Sequence, residues 1–318
     1  MGAAGEARLS SAARGPLRAG VFGTGAMGRN HVRLLASLPG AELVGVYDPR
    51  PEAAEAVAAE HGARVFSRAD DLASEIEAAV VAVPTVAHAG LGCELLARGI
   101  DVLVEKPLAQ NLAEADRLIA AAAGRVLAVG HVEFYNPAVQ ALLSVGTPPR
   151  FVEVQRLAVF SPRSLDVDVV LDLMIHDLQI LHALDPSPVT EVRATGIAVL
   201  SPRIDIANVR IELASGCVAS LTASRVSSER VRKLRTFLPS RYYSLDYQAQ
   251  EIRGYRLEED GGKRSILPDD LPVTRAEPLA KELEAFVAAC RGDGAPLVTG
   301  EQARQALATA LAVVEAIR

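Results

Sequence analysis

The chain of 318 residues contains no tryptophan, only three methionines and three cysteines, and 4% aromatic residues. Cys93, Cys217 and Cys290 lie far apart and show neither a metal-ligand nor a redox spacing, which argues against a cysteine-based metal or redox centre. Scattered single cysteines are typical of small core residues in a reducing compartment. We therefore expect a cytoplasmic protein.

Long apolar runs are also absent, and no stretch approaches the length of a membrane span. Residues 1–16 lack the apolar stretch of a signal peptide, so we expect them to form a flexible tail. The formal net charge of −6 argues against a general nucleic-acid surface. Half of the residues are apolar, and the length allows a large core and two domains.

A glycine-rich turn lies between the first predicted strand, residues 17–22, and the first predicted helix, which runs to residue 38. The turn comprises Gly23, Thr24, Gly25, Ala26, Met27 and Gly28. In such a Gly-x-Gly-x-x-Gly motif the glycines permit a tight turn, the approach of backbone to a pyrophosphate, and close packing of helix on strand. The helix N-terminus then attracts the phosphates. The alternative is a glycine turn in another kind of α/β domain.

An acidic residue, Asp48, ends the second predicted strand, residues 42–47. It follows Gly28 by about twenty residues, which is the place of an acid that binds a ribose 2′-hydroxyl group. A carboxylate at this place favours NAD because it repels the 2′-phosphate of NADP. Arg50 lies close by and could soften that preference, so NADP remains an alternative.

Predicted strands and helices alternate six times between residues 17 and 131. This alternation predicts a Rossmann-type, doubly wound parallel sheet, in which ligands bind outside the carboxyl ends of the strands. Besides the glycine turn and Asp48, the residues at such ends are Pro84, Glu105, Lys106 and His131. We expect the first three of these to line the cofactor site, together with Thr85 and His88 from the next predicted helix.

The pattern changes after residue 131. A long predicted strand, residues 150–160, is followed by helical periodicity over residues 171–184 and by six further strands between residues 189 and 258. Several strands alternate apolar and polar residues, which is typical of an antiparallel or mixed sheet covered on one face by a helix. Two helices end the chain, and Thr299 with Gln302 predicts a capping box for the last. We therefore divide the chain into residues 17–131, which bind the dinucleotide, and residues 132–318, which bind substrate and support oligomerisation.

Lys106 lies between Glu105 and Pro107, directly after a predicted buried strand. A lysine beside the nicotinamide could transfer a proton or polarise a hydroxyl group. A solvated lysine at a strand end would explain the position equally well, so both interpretations stay open on position alone.

Asp172 and His176 are four residues apart on a predicted, mainly apolar helix, so they should share a face. Histidine is the natural general base near neutral pH, and a carboxylate one turn away could orient it. The alternative is a core histidine with satisfied hydrogen bonds. No second histidine or cysteine lies nearby at ligand spacing, so we expect no metal site.

The second domain is locally basic. Its cationic residues include Arg156, Arg163, Arg203, Arg225, Arg230, Arg232, Lys233 and Arg235. For any single residue we favour a solvated strand face, although together they would suit an anionic substrate such as a nucleotide sugar. His31, His61 and His182 have no partner spacing and are interpreted as surface or packing histidines.

Taken together, these motifs resemble the Gfo/Idh/MocA family of NAD(P)-dependent sugar oxidoreductases from about Leu17 to the end of the chain. The matching pieces are residues 21–28, Val83-Pro84-Thr85 with His88, Val104-Glu105-Lys106-Pro107, and Asp172 with His176. The resemblance implies a Rossmann domain followed by an α/β domain with a large, open, mainly antiparallel sheet that supports a homo-oligomer, a dimer or a tetramer. It also implies that Lys106 and His176 are catalytic, that Asp172 supports them, and that the Lys106–Pro107 bond is cis.

A narrower likeness is to the branch of that family that oxidises UDP-N-acetylhexosamines at C3, for the amino sugars of lipopolysaccharide. Its matching pieces are residues 130–133, 136–138, 161–163, 168–177 and 224–225. The likeness implies substrate contacts from His131, Tyr135, Asn136, Arg156, Arg163 and Asp168. Many relatives carry Arg-Phe where this chain has Phe134-Tyr135, so Arg156 or Arg163 would have to replace that arginine.

We therefore expect oxidation of a C3 hydroxyl group, with hydride transfer to NAD and with either His176 or Lys106 as the proton acceptor. A sugar aminotransferase would consume the ketone, and neither a nucleic acid nor a membrane is expected as a partner. The alternatives are a dehydrogenase of a free cyclitol or aldose, an NAD-dependent glycoside hydrolase of the same fold, and a non-catalytic NAD-binding protein.

Overall fold

The computed structural model describes residues 15–161 and 167–317. These residues form two compact units whose segments interleave along the chain. The first unit comprises the described residues up to 105, then 117–128 and 280–297, and the second comprises 106–116, 129–279 and the residues from 298 onward. Each unit therefore comprises several segments of the chain, whereas the sequence analysis expected a single boundary after residue 131. The functions expected of the two domains remain predictions.

The secondary structure contains fourteen strands, nine α-helices and two other helical segments among the described residues. The strands are β1 (Leu17–Phe22), β2 (Ala41–Tyr47), β3 (Arg64–Val65), β4 (Ala78–Val81), β5 (Asp101–Glu105), β6 (Leu127–Gly130), β7 (Phe151–Val159), β8 (Val189–Ile197), β9 (Ile206–Leu213), β10 (Val218–Ser227), β11 (Val231–Leu238), β12 (Arg241–Asp246), β13 (Glu251–Asp260) and β14 (Lys263–Pro268). The α-helices are α1 (Ala26–Leu35), α2 (Pro51–His61), α3 (Ala69–Ala73), α4 (Thr85–Ala97), α5 (Leu112–Ala122), α6 (Pro137–Leu143), α7 (Ile175–Leu184), α8 (Pro278–Arg291) and α9 (Gly300–Ile317). Val132–Tyr135 is a 3-10 helix, and Val170–Met174 is a π-helix.

The six-stranded sheet has the strand order β3-β2-β1-β4-β5-β6, and its registered strand pairs are parallel. Strands β4 and β5 are buried along their whole length. The continuous apolar sequence of β4 predicts this for a parallel sheet covered on both faces. The strand order reverses beside β1, where β2 lies on one side and β4 on the other. This order confirms the predicted Rossmann-type fold and places the switch point at the end of β1.

The second unit contains an eight-stranded sheet with the order β14-β13-β12-β11-β7-β10-β9-β8. Only β7 and β10 among its registered pairs run parallel, and the other pairs are antiparallel, as predicted. Burial alternates along β9 and β10, so each strand presents one face to the core. Helix α9 packs against α7 and β8. Its predicted capping box is present, because the backbone N–H groups of Thr299 and Gln302 donate to each other's side chains at 2.9 and 3.4 Å.

Two differences from the sequence-based expectations concern local helix geometry and short elements. The helix predicted over residues 171–184 begins as the π-helix Val170–Met174 and becomes α-helical only at Ile175. Helices α3 and α6 and strand β14 were not predicted, because short segments carry too little periodicity. Among the described residues, no helix is both long and apolar enough to cross a bilayer.

Candidate active site

The glycine turn of the first unit connects β1 to α1. Gly23 has a φ of +90°, and a Cβ atom there would meet the Ala82 carbonyl oxygen at 2.5 Å. A Cβ atom on Gly28 would meet the Gly23 carbonyl oxygen at 1.9 Å, whereas a Cβ atom on Gly25 would have no neighbour within 4 Å. The first and third glycines are therefore required by the turn itself, and the second leaves its outer side open to a ligand.

The N-terminus of α1 also fits a dinucleotide. Gly25 is its N-cap residue and gives the helix no side-chain cap, and the first turn contains no acidic residue. Backbone N–H groups and the positive end of the helix dipole are thus available for a diphosphate. Among the predicted cofactor residues of the turn, Thr24 is buried, Met27 is half-buried and Ala26 is exposed.

Asp48 lies directly after β2 and is held by two neighbours. One carboxylate oxygen accepts from the Thr24 backbone N–H at 2.8 Å and from its hydroxyl at 3.1 Å. The other accepts from the backbone N–H and Nε of Arg50 at 3.0 and 3.2 Å. Burial alone would raise the pKa of Asp48, but the hydrogen bonds from Thr24 and Arg50 outweigh it and lower the pKa. Asp48 is therefore a fixed carboxylate at the edge where a ribose is expected.

Other predicted cofactor residues lie around the start of α4 and the end of β5. Pro84 is the exposed N-cap residue of α4, Thr85 begins the helix, and His88 is buried with Nε2 2.9 Å from the Val83 carbonyl oxygen. Glu105 ends β5 and is also buried. These positions follow the carboxyl ends of β4 and β5, as the sequence predicts, and their contacts with a cofactor remain predictions.

Lys106, in the second unit, is fixed by Asp172. Its Nζ donates to the Asp172 backbone carbonyl at 2.7 Å and to the Asp172 carboxylate at 2.9 Å. The lysine side chain is 19% exposed, so it is neither buried nor freely solvated. The Lys106–Pro107 peptide bond is cis, which confirms what the resemblance implied. The interpretation as a freely solvated lysine is wrong, because two oxygens of one residue direct its ammonium group.

Asp172 lies in the π-helix, and His176 lies in the first turn of α7. In the π-helix the Ile175 backbone N–H donates to the Val170 carbonyl, one residue further back than in an α-helix. No hydrogen bond joins Asp172 and His176 among the described residues, so the carboxylate does not orient His176 directly as expected, and it accepts from Lys106 instead. Single π-helical turns occur frequently at functional sites.

His176 is buried and lies against a second histidine. The rings of His131 and His176 are arranged edge to face with their centroids 5.6 Å apart. Burial and then the positive charge of Lys106, with smaller contributions from His131, Arg156 and Arg232, hold the pKa of His176 well below its ordinary value of 6.5. His176 is therefore a neutral imidazole at physiological pH.

A buried network of charges that sequence reasoning missed borders this histidine pair. Arg156 donates through Nε and Nη2 to the two oxygens of Asp177 at 2.7 Å each and through Nη1 to Glu133 at 2.8 Å. Glu133 also accepts from Arg232 at 2.9 Å, and the Tyr247 hydroxyl donates to Asp177 at 3.2 Å. Arg156 follows the buried Val152 and Val154 at two-residue spacing along β7, so all three lie on the same face of the strand. This spacing is the signal that would have predicted an inward-facing arginine.

The interpretation of Arg156 and Arg225 as solvated strand residues is therefore wrong. Arg225 is also buried, and its Nε donates to Asp205 at 2.7 Å. Buried guanidinium groups need carboxylate or carbonyl partners, and both arginines have them.

The remaining predicted substrate residues have the following positions. Asn136 is the buried N-cap residue of α6, where its side chain accepts from Ala138 and donates to the Tyr247 carbonyl oxygen. Tyr135 is buried in the 3-10 helix, and the buried Asp168 accepts from the Ile204 backbone N–H at 3.0 Å. Arg163 lies outside the described residues. Contacts of all six residues with a substrate remain predictions.

The first unit contains a separate buried cluster of His31, Glu105 and Glu282. His31 Nε2 lies 2.7 Å from Glu105 Oε1, and one ligand atom from each of the three residues lies within 4.8 Å of the others. Both Glu282 carboxyl oxygens are buried without a hydrogen-bond partner in the described part of the chain. Burial and then the nearby charge of Glu105 raise the pKa of Glu282 well above its ordinary value of 4.5. Although these three donors could hold a metal ion, a proton on Glu282 also neutralises the cluster.

The substitution Glu282→Gln should stabilise the protein, and more at high pH than at low pH. Above pH 4.5 the unfolded chain loses the Glu282 proton while the folded chain keeps it, so its contribution to stability falls as pH rises toward the folded pKa. We expect the variant to gain about 1–3 kcal/mol in unfolding free energy over wild type at about pH 8, and much less at about pH 5. Urea denaturation at both pH values measures this.

The matched control is Glu284→Gln on the same helix, because Glu284 is exposed and pairs with Lys281. It should show little change at either pH. An equal gain for Glu282→Gln at both pH values would contradict a raised carboxyl pKa.

Comparisons with known proteins show which family the chain belongs to. The model of the oxidoreductase family with an NAD-binding Rossmann fold, Gfo/Idh/MocA, matches residues 17–131. UDP-N-acetylglucosamine 3-dehydrogenase of Acidithiobacillus ferrooxidans is 37% identical over 306 residues, which cover 95% of this chain and 97% of that protein. Its solved structure superposes with a TM-score of 0.89 at 36% identity, over 95% of this chain and 97% of that one. Inositol 2-dehydrogenase 2 of Paenarthrobacter aurescens is 30% identical over 308 residues, which cover 90% of this chain and 91% of that protein.

Proposed function

Because the chain belongs to the Gfo/Idh/MocA family of oxidoreductases with an NAD-binding Rossmann fold, we propose that it oxidises the C3 hydroxyl group of a UDP-N-acetylhexosamine to a ketone. The observation that carries this proposal is the similarity to UDP-N-acetylglucosamine 3-dehydrogenase along nearly the whole chain. The arrangement of Lys106, Asp172 and His176 supplies the proton chemistry that such an oxidation needs.

NAD, when bound, supplies the hydride acceptor. The glycine turn and the N-terminus of α1 would hold its diphosphate, and Asp48 would accept a hydrogen bond from the adenosine ribose.

The two proton-handling residues of the second unit have different tasks in this proposal. His176 accepts the proton of the sugar hydroxyl group, because burial and the surrounding cations keep its imidazole neutral. Lys106 donates a hydrogen bond to the same oxygen and stabilises its developing negative charge. Asp172 holds the Lys106 ammonium group in place from two oxygens. The C3 hydride and the hydroxyl proton thus leave to different acceptors, and a ketone remains.

The experiment that tests this proposal uses UDP-N-acetylglucosamine carrying deuterium at C3. Incubated with the enzyme, NAD and a sugar aminotransferase that removes the ketone, it should yield NADH with deuterium at C4 of the nicotinamide. Unlabelled NADH would mean that a different carbon is oxidised, and no NADH would exclude this substrate.

A second candidate function is oxidation of a free inositol. It is supported by the similarity to inositol 2-dehydrogenases, which extends over most of the chain but at lower identity. The same lysine and histidine chemistry would serve a cyclitol, so a direct comparison of substrates decides between them.

We also propose a cellular setting for the reaction. A cytoplasmic location agrees with the three cysteines, all of which are free thiols. An aminotransferase would consume the ketone on the way to an amino sugar for lipopolysaccharide. A homo-oligomer is supported by Tyr255, Leu257 and Ile266, exposed hydrophobic residues on the paired strands β13 and β14.

The preference for NAD should depend on Asp48. The substitution Asp48→Ala should weaken NAD binding by about tenfold or more, because the ribose loses a charged hydrogen-bond acceptor. It should also reduce the difference between the affinities for NAD and NADP. Titrations with both dinucleotides measure this. The control is Arg18→Ala at the start of β1, which removes a 51% exposed side chain paired with Glu77 and should leave NAD binding nearly unchanged. A wild-type preference for NADP would contradict the assignment.

A further inference from the structure

His131 is placed by the backbone at the end of β6. Its N–H donates to the Val129 carbonyl at 2.8 Å, and its carbonyl accepts from the Phe134 N–H, which closes the first turn of the 3-10 helix. The His131 side chain is fully buried. The ring therefore cannot form hydrogen bonds with bulk solvent.

The His131 ring has no hydrogen-bond partner of its own among the described residues. Both of its nitrogens are buried and unpaired, and so is Nδ1 of His176, the ring that it contacts edge to face. Buried polar atoms are rarely left without a hydrogen-bond partner. Three such nitrogens on two rings in contact therefore indicate that the rings form hydrogen bonds in another state of the enzyme. Hydrogen bonds of an active site are often long in the free enzyme and shorten in the substrate complex.

The usual partner that orients a catalytic histidine is a carboxylate, but the nearby carboxylates are all committed. Asp172 binds Lys106, Asp177 binds Arg156 and Tyr247, and Glu133 binds both Arg156 and Arg232. None of the three is hydrogen-bonded to His176 in the described structure. The ring of His131 packs edge to face against His176 and has no hydrogen-bond partner among the described residues.

We propose that His131 is the positioning residue for His176, and that one of its ring nitrogens accepts the Nδ1–H of His176 in the reacting complex. This fixes the tautomer of His176 that leaves the Nε2 lone pair for the proton of the sugar hydroxyl group. The inference rests on the proposed function only in taking His176 as the proton acceptor.

A neutral orienting group suits the charges around His176. The groups that bear on it are the cations Lys106, Arg156 and Arg232 and the neutral His131, while Asp172, Asp177 and Glu133 neutralise those cations. A carboxylate in the place of His131 would favour the imidazolium form and remove the lone pair. Burial and then the charge of Lys106 lower the pKa of His131 itself to about 3, so it stays neutral as well. An imidazole can therefore set the tautomer without protonating its neighbour.

The test replaces His131 with phenylalanine, which keeps the edge-to-face ring contact, and with glutamine, whose amide oxygen can accept a hydrogen bond. His131→Phe should lower kcat for NADH formation from UDP-N-acetylglucosamine by about ten- to a hundredfold, with KM for the sugar nearly unchanged. His131→Gln should recover part of kcat. The control is His182→Gln on α7, because His182 is a buried histidine with its own partner, Thr309, at 2.8 Å. It should keep wild-type kcat.

Nitrogen-15 NMR of the histidine rings tests the same inference without any turnover. In the wild-type complex with NADH, which cannot turn over, His176 should be the neutral Nδ1–H tautomer, and in the same complex of His131→Phe its signals should shift toward a mixture of tautomers. If UDP-N-acetylglucosamine is not a substrate, the proposed function fails but this measurement still decides the role of His131. A folded His131→Phe variant with an unchanged His176 tautomer would overturn the inference. If that variant does not fold, an unchanged tautomer in His131→Asn would overturn it.

Discussion

Replacing Lys106 with alanine should lower the turnover number by about 10²–10⁴-fold while NAD still binds. The ammonium group is directed by two oxygens of Asp172, at 2.7 and 2.9 Å, and its side chain stays 19% exposed. Those bonds fix the cation at one place, and only a fixed cation can stabilise a developing alkoxide without reorganising first. Steady-state kinetics with a nucleotide sugar, together with a titration of NAD, separates the two effects.

The matched control for this variant is Lys281→Ala. Lys281 is a half-exposed lysine on α8 that pairs with Glu284 on the protein surface, so its loss should leave turnover unchanged. If Lys106→Ala keeps turnover near that of wild type, the assignment of Lys106 to catalysis is wrong. If it loses NAD binding completely, Lys106 serves the cofactor and not the reacting oxygen.

The second large effect is on stability, and it follows from replacing Arg156 with methionine. The arginine side chain is 3% exposed and carries bonds to Asp177 and Glu133, whose side chains are 1% and 9% exposed. Removal of the cation leaves Asp177 and part of the charge of Glu133 uncompensated in the interior. We expect a loss of about 3–5 kcal/mol in unfolding free energy, because a broken buried pair strands a desolvated charge.

Urea denaturation at neutral pH measures this loss, with Arg235→Met as the control. Arg235 lies on β11 and forms an ion pair with Glu153 at 3.4 Å. Because its side chain is 43% exposed, the pair lies at the surface, and its removal should change the unfolding free energy very little. Arg156→Met should also raise the pKa of His176, since Arg156 is one of the cations that lower it. Equal stabilities of the two variants would contradict a buried charge network.

Much of the architecture and part of the site follow from local sequence patterns. The glycine turn, Asp48 and Lys106 were predicted because each stands at the end of a strand whose apolar run is visible in the sequence, and strand ends in such a sheet bind ligands. The alternation along β9 and β10 likewise predicted a sheet buried on one face. In these cases the chemistry lies close in sequence to the feature that reveals it.

The pairings within the site could not be predicted, because their partners are distant in sequence or depend on a local irregularity. Asp172 and His176 were expected to lie on one face of a regular helix. The segment around Asp172 is instead a π-helix, with one extra residue per turn, and the Asp172 carboxylate binds Lys106, which is 66 residues away in sequence. Glu282 reaches the cluster of Glu105 and His31 from a helix near the end of the chain. Only the tertiary fold brings such groups together.

Whether a sugar nucleotide is the substrate is decided by the ratio of kcat/KM for NAD reduction with UDP-N-acetylglucosamine to that with myo-inositol. Both reactions would use the same Lys106 and His176, so the ratio isolates substrate recognition from the chemistry. We expect UDP-N-acetylglucosamine to exceed myo-inositol by at least about a hundredfold, because recognition of the nucleotide adds binding energy that a free cyclitol cannot supply. A ratio that favours myo-inositol would contradict the proposed function and leave only the general assignment as an NAD-binding sugar oxidoreductase.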